Sequence, residues 1–151
     1  MYAKIMVAID GSETSKLALG EAIRVAKAGP SKVLVVSVFD SEAEVVAYGG
    51  LVVPNSQRDG LRAKALHILD EARETLDQNG IAGSGELIEK PGEKMDIAAV
   101  LQQHAEGWEA DLVVLGTHGR RGLQRMVIGS VAESFVRQSH CPVLLVRGKE
   151  S

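Results

Sequence analysis

The chain has 151 residues, 45% apolar and 25% charged, which is ordinary for a globular protein. A domain of that length buries roughly 68–70% of its unfolded surface, enough for a core without disulfide or metal staples. The net charge of −3 and 3% aromatic content argue against nucleic acid as a partner, which calls for a basic face or stacking platforms.

Lys4–Ile9 (KIMVAI) is a short apolar run ending in the turn residues Asp10-Gly11-Ser12. Apolar side chains at both alternate positions predict a parallel strand covered on both faces. Ser12 is placed to cap the next segment. From Glu13 to Ala28, Leu19, Ala22, Ile23 and Ala26 recur at helical spacing, and Gly29-Pro30 stops the pattern. Val33–Val38 is a second buried strand. Phe39–Ser56 has no clean period and contains Gly49-Gly50 and Pro54, so it reads as a long loop.

Gln57–Asn79 is the longest predicted helix, with Leu61, Ala65, Ile68, Leu69, Ala72 and Leu76 on one face and Gly80 after it. Gly85–Lys90 is a third strand, whose charged ends suit a sheet edge. Pro91-Gly92 turns into a helix that buries Ile97, Ala98, Leu101 and Ala105. Asp111–Leu115 is a fourth strand, followed by a glycine-rich stretch to Gly129, a helix over Val131–Ser139 and a last strand over Pro142–Arg147. Five strands alternating with four helices predict one α/β domain over 1–151, with a parallel sheet and helices on both faces.

The lone Cys141 excludes an internal disulfide. Met1-Tyr-Ala-Lys-Ile lacks the organisation of a signal peptide, and no apolar run approaches ~18 residues. The expectation is a cytoplasmic protein with no membrane partner.

In open α/β sheets ligands bind beyond the carboxyl ends of the strands, where the strand order reverses. Two such ends carry suggestive chemistry. One is Asp10-Gly11-Ser12; the other is Gly116-Thr-His-Gly119-Arg-Arg-Gly122, with Gly129-Ser130 opening the next helix. Backbone N–H groups and a helix N-terminus favour an anion. There is no GxxxxGK[ST] loop and no GxGxxG fingerprint. The full spacing Gly116-x2-Gly119-x9-Gly129-Ser130 is more specific than any one of its glycines.

On these residues the sequence resembles the universal stress protein family. KIMVAIDGSETSKLAL is similar to that family's opening, and GTHGRRGLQRMVIGSVAESFVRQSHCPVLLVR to its closing region. The glycine pattern is that of the ATP-binding subclass. The resemblance implies strand order 3-2-1-4-5 and an adenine nucleotide (ATP, AMP or a relative) as ligand. Gly116, Gly119, Gly129, Ser130 and Val131 would then surround the ribose and phosphates. Asp10 would lie near the ribose or a phosphate-bound Mg2+, and Ala8 and Val38 would border the adenine. It also implies a homodimer through the last strand. In the implied strand order the apolar Val143-Leu-Leu-Val146 lies at an edge, where an exposed strand invites pairing.

Blander readings stand beside these. Ser130-Val-Ala-Glu133 has the form of a capping box. Asp10 can simply order its turn. Arg120, Arg121 and Arg125 can be solvated loop charges, while His118 is the one histidine placed to touch a phosphate; His67, His104 and His140 read as surface residues. No His/Cys/carboxylate grouping has zinc-ligand spacing. Ser12 and Ser15 have no evident base partner, so no catalytic residue is assigned. The functional expectation is a stress-response sensor or regulator whose loops order around a nucleotide. The alternatives are a slow, autophosphorylating ATPase and a nucleotide-free dimeric interaction module.

Overall fold

The computed structural model describes residues 1–39, 55–90, 95–117 and 129–148, with side chains omitted at 55–58. In chain order the elements are β1 (Lys4–Ala8), α1 (Glu13–Ala26), β2 (Lys32–Phe39), α2 (Asn55–Gln78), β3 (Ala82–Glu89), α3 (Ile97–Trp108), β4 (Leu112–Gly116), α4 (Ser130–Gln138) and β5 (Val143–Val146). The strands form one sheet in the order β3-β2-β1-β4-β5, parallel at every pairing. The predicted fold class and order are therefore the observed ones.

Period two divides the strand side chains between two hydrophobic layers. Ile5, Val7, Val33, Val35, Leu112 and Val114 join α1 and α2 on one face. Met6, Leu34, Val36, Val113 and Leu115 join α3 and α4 on the other. The first two crossovers thus cover one face and the last two the other, so the sheet is doubly wound. Ile5, Met6 and Val7 of β1 are all 0% exposed, since β1 has a strand on each side and helices above and below.

Several boundaries differ from the sequence expectation. β3 begins at Ala82 rather than Gly85, because all eight of its residues pair with β2 from Lys32↔Ala82 to Phe39↔Glu89. Backbone pairing there overrides the weak strand propensity of Gly-Ser-Gly. α2 opens at Asn55, so the expected loop ends earlier, and its remainder, residues 40–54, lies outside the described residues. The Pro91-Gly92 turn lies outside them too.

Two contacts lock the sheet at opposite ends. At the amino end, both Asp111 carboxylate oxygens accept backbone N–H groups, from Ala3 at 2.8 Å and Lys4 at 3.0 Å. At the carboxyl end, Gly116 faces the first turn of α1. A Cβ on Gly116 would sit 2.7 Å from Thr14 Cγ2 and 3.3 Å from the Thr14 backbone. The absence of a side chain here is a packing requirement of α1 against β4.

On the α3/α4 side, Glu106 Oε1 accepts Gln102 Nε2 at 3.0 Å and hydrogen-bonds His140 Nδ1 at 2.8 Å. The Gln102 bond first, and then the His140 bond, hold the Glu106 carboxyl below its ordinary value of 4.5.

Two stability predictions follow from these contacts. Gly116→Ala should cost about 1–3 kcal/mol through overpacking, seen as a lower denaturant midpoint at unchanged slope. For Glu106, a folded-state pKa below the unfolded one gives stabilisation that is present above the unfolded value and lost as pH falls through the folded one. Glu106→Gln should therefore flatten the acid limb of stability below about pH 4.5 and leave the neutral region's pH dependence unchanged. An unaltered acid limb would mean that the bonds in the folded state do not favour the charged form.

Candidate functional site

The reversal of strand order lies between β1 and β4, which pair from Ile5↔Leu112 to Val7↔Val114. From their carboxyl ends the chain leaves in opposite directions, to α1 on one face and to α4 on the other. That divergence opens the crevice in which a doubly wound sheet presents its ligand site.

The β1 side is a tightly ordered turn. Asp10 Oδ1 accepts the Ser12 N–H at 2.9 Å, and Gly11 adopts φ +84°, a conformation that glycine tolerates best. Ser12 then caps α1, its Oγ accepting the Ser15 N–H at 3.2 Å. Asp10 thus has the turn-ordering role expected of such a residue, and the capping falls to Ser12.

The β4 side is organised by Thr117, buried directly after Gly116. Its carbonyl accepts the Gly129 N–H, and its own N–H donates to Val146 O at 2.9 Å. The first of these bonds holds the start of α4 against the end of β4. Gly129 is the N-cap of α4, in extended backbone with φ −58° and ψ 153°, and has no side chain to cap with. The first helical bond runs from Glu133 N–H to Gly129 O at 2.9 Å. The N–H groups of Ser130, Val131 and Ala132 precede it and have no partner within the helix.

This corrects the capping-box reading. Ser130 is the first helical residue, one position too late to cap. Glu133 turns away to Arg137, with Oε1 2.8 Å from Nη2. By contrast, α1 is capped by Ser12 and α3 by Asp96, whose Oδ1 accepts the Ala99 N–H at 2.7 Å. α4 therefore opens with an exposed serine and a set of N–H groups at the positive end of its dipole, an arrangement suited to an anion.

The apolar members of the expected site share the α3/α4 face. Ala8 ends β1, Val38 lies near the end of β2, and Val131 opens α4; all three are partly buried against the same hydrophobic layer. Met95 and Ile97, at the start of α3, pack partly buried against it too. Sequence reasoning did not single out Met95, and it picked Ile97 only as an inward-facing position of its helix and not as a member of the site. Gly119, His118, Arg120, Arg121 and Arg125 lie outside the described residues.

A second concavity lies on the opposite face. It is a furrow of about 970 Å3 between α1 and α2, including Leu19, Gly20, His67, Ile68 and Thr75. Its lining includes the Asp10–Ser12 turn. Its charged groups have both signs, with Lys16 near Glu13 and His67 2.6 Å from Glu71, so it lacks the electropositive end of the crevice. Among the described residues no cluster of three His, Cys, Asp or Glu could hold a metal, and no helix is long and apolar enough to cross a membrane.

The fold is one shared with known proteins. Residues 1–147 match the universal stress protein family. A universal stress protein of Methanocaldococcus jannaschii is 32% identical over 150 residues, covering 97% of this chain and 83% of that protein. The crystal structure of a universal stress protein family member from Burkholderia pseudomallei is 30% identical, with a TM-score of 0.74 and 96% of each chain covered. Structures with the same fold but 20%, 21% and 23% identity carry AMP (Arabidopsis thaliana), dAMP (Archaeoglobus fulgidus) and cAMP. Their TM-scores are 0.68, 0.69 and 0.67, and each covers at least 96% of this chain and 92% of its own. The family match over nearly the whole chain, together with a relative above 30% identity, gives the conclusion: this chain belongs to the universal stress protein family.

Proposed function

We propose that this protein binds an adenine nucleotide, ATP foremost, in the crevice between β1 and β4, and acts as a sensor or regulator in a stress response. The observation that carries the reading is the start of α4. Gly129 leaves the helix without a side-chain cap, and Thr117 holds that end against the carboxyl edge of the sheet. A phosphate accepts hydrogen bonds from such N–H groups and gains from the helix dipole. The exposed Ser130 hydroxyl adds a donor beside them.

The apolar strip of Ala8, Val38 and Val131 offers the base a surface, extended by Met95 and Ile97. Asp10, fixed in its turn through Oδ1, is the acidic group for the ribose or for Mg2+ travelling with the phosphates. Gly116 and Gly119 complete the set, although Gly116 also has a packing reason to be glycine. The bound nucleotides of relatives with this fold support the ligand class. In the same proposal residues 1–151 act as one domain in the cytoplasm, and two copies pair through β5, whose apolar residues lie at the sheet edge.

The test is to denature the purified protein and identify any released nucleotide by mass spectrometry, alongside titrations with ATP, ADP, AMP and cyclic AMP. Gly129→Val should reduce affinity more than tenfold, since losing bonds to a charged group costs about 1.5–3 kcal/mol. Gly129→Ser is the sharper variant, because its hydroxyl would cap α4 and occupy an N–H that a phosphate needs. Replacing a glycine cap by serine changes stability by only a few tenths of a kcal/mol, so the melting temperature should hold or rise while nucleotide affinity falls. Unchanged affinity in Gly129→Ser would move the phosphates away from α4. No carried nucleotide, and no binding at millimolar concentration, would leave the dimeric interaction module as the working description.

A further inference from the structure

Thr117 belongs to two structures at once. Its carbonyl accepts the Gly129 N–H at the start of α4, and its N–H donates to the carbonyl of Val146, the last residue of β5. One buried residue therefore carries hydrogen bonds to both the proposed phosphate-binding end of α4 and the carboxyl end of the edge strand. Thr14 reinforces the junction. Its Cγ2 lies against Gly116, and its Oγ1 would be 3.1 Å from a Cβ on Gly148, just past β5.

β5 itself is weakly held. It has four residues and, among the described residues, pairs with β4 alone, from Val113↔Val143 to Gly116↔Val146. Val113 N–H donates to Pro142 O and Thr117 N–H to Val146 O. In a parallel ladder that phase turns the peptide groups of alternate residues towards β4, so Val143 and Leu145 direct theirs to the open edge. Val143, Leu144 and Leu145 are only half-buried. An apolar edge with outward-facing peptide groups is a template for another strand, and a second copy of this chain offers the same strand by symmetry.

We infer that nucleotide binding at α4 and β5-to-β5 pairing of two copies are thermodynamically linked through Thr117, each strengthening the other. The inference rests on the nucleotide and pairing readings above and adds the coupling between them. A ligand on the α4 N–H groups restrains Gly129, and with it Thr117 and the end of β5. A strand already ordered loses less conformational freedom when it pairs, which gives positive cooperativity without a change of shape. Linkage requires the reciprocal effect, a tighter nucleotide site in the dimer.

The experiment measures the dimer dissociation constant of the full chain by sedimentation equilibrium, with and without saturating ATP. ATP affinity is measured in parallel on wild type and on Leu145→Pro, which removes an outward N–H without breaking the ladder to β4. Val143→Lys is a second edge variant should the proline disturb folding. The expected result is at least about fivefold tightening of the dimer by ATP, with ATP affinity per site lower by the square root of that factor, about twofold, in the edge variants, because each dimer carries two sites. Slower amide exchange in β5 on ATP addition to an edge variant should accompany it. If ATP binds and the dimer forms but neither alters the other, the linkage is overturned while both underlying readings stand. Absence of ATP binding in the titration overturns it together with the nucleotide reading. A monomer at all concentrations overturns it through the pairing reading alone.

Discussion

Everything at the candidate site depends on the double burial of β1. This strand is paired on both edges and covered on both faces, so Ile5, Met6 and Val7 have no exposed surface. Burying side chains of this size stabilises by about 1.5–3 kcal/mol each, and no register shift keeps both layers filled. A one-residue slip would exchange Met6 with its neighbours between two differently packed layers. With β1 fixed, the reversal of strand order beside it is fixed as well, and the divergence of α1 and α4 follows from the chain's path. The crevice is therefore a consequence of core packing, and the loops inherit their positions from it.

The glycine pattern has more than one physical cause. Gly116 is glycine because Thr14 of α1 occupies the space a side chain would need. Gly129 has an extended backbone at φ −58°, which any residue adopts, so its conformation demands nothing special. What glycine does there is leave the N–H groups of α4 uncovered. A spacing that reads as one motif thus combines a steric requirement of the fold with an uncapped helix start, the part on which the nucleotide proposal rests. Only the second part bears on function, and experiments on Gly129 discriminate where those on Gly116 would confuse stability with binding.

The same distinction explains what the sequence could reveal. Strand identity and a parallel sheet covered on both faces were legible because two-sided apolar runs alternate with helical stripes. The strand order was implied by the family resemblance, and Ser12 was legible as a cap because its hydroxyl acts on its own turn. The alternative capping-box reading of Ser130 failed where the capping reading of Ser12 held. Ser130 and Glu133 have the spacing of a capping box, but the position of the helix start is set by the bond from Gly129 N–H to Thr117, a contact twelve residues apart in the chain. The start of β3 was hidden likewise, since Gly83-Ser-Gly85 becomes strand only through β2. Met95 was silent because its partners in the apolar layer come from other elements, and Ile97 was legible only as an inward position of α3. Local signals were readable; those created by the sheet were not.

The two ends of β5 illustrate how a short edge strand can be held without being rigid. At its entry, His140 is bonded to Glu106 of α3, and Ser139 Oγ donates to the Cys141 carbonyl at 2.8 Å, so the turn from α4 is pinned from outside the sheet. At its exit, the bond between Thr117 and Val146 fastens the strand to the same residue that positions α4. The entry is anchored on α3 and the exit on the junction of β4 with α4. Whatever stabilises the start of α4 consequently acts on β5 from the Val146 end. The outward peptide groups of Val143 and Leu145 lie between these two anchors, one on α3 and one on the residue that also bonds the start of α4.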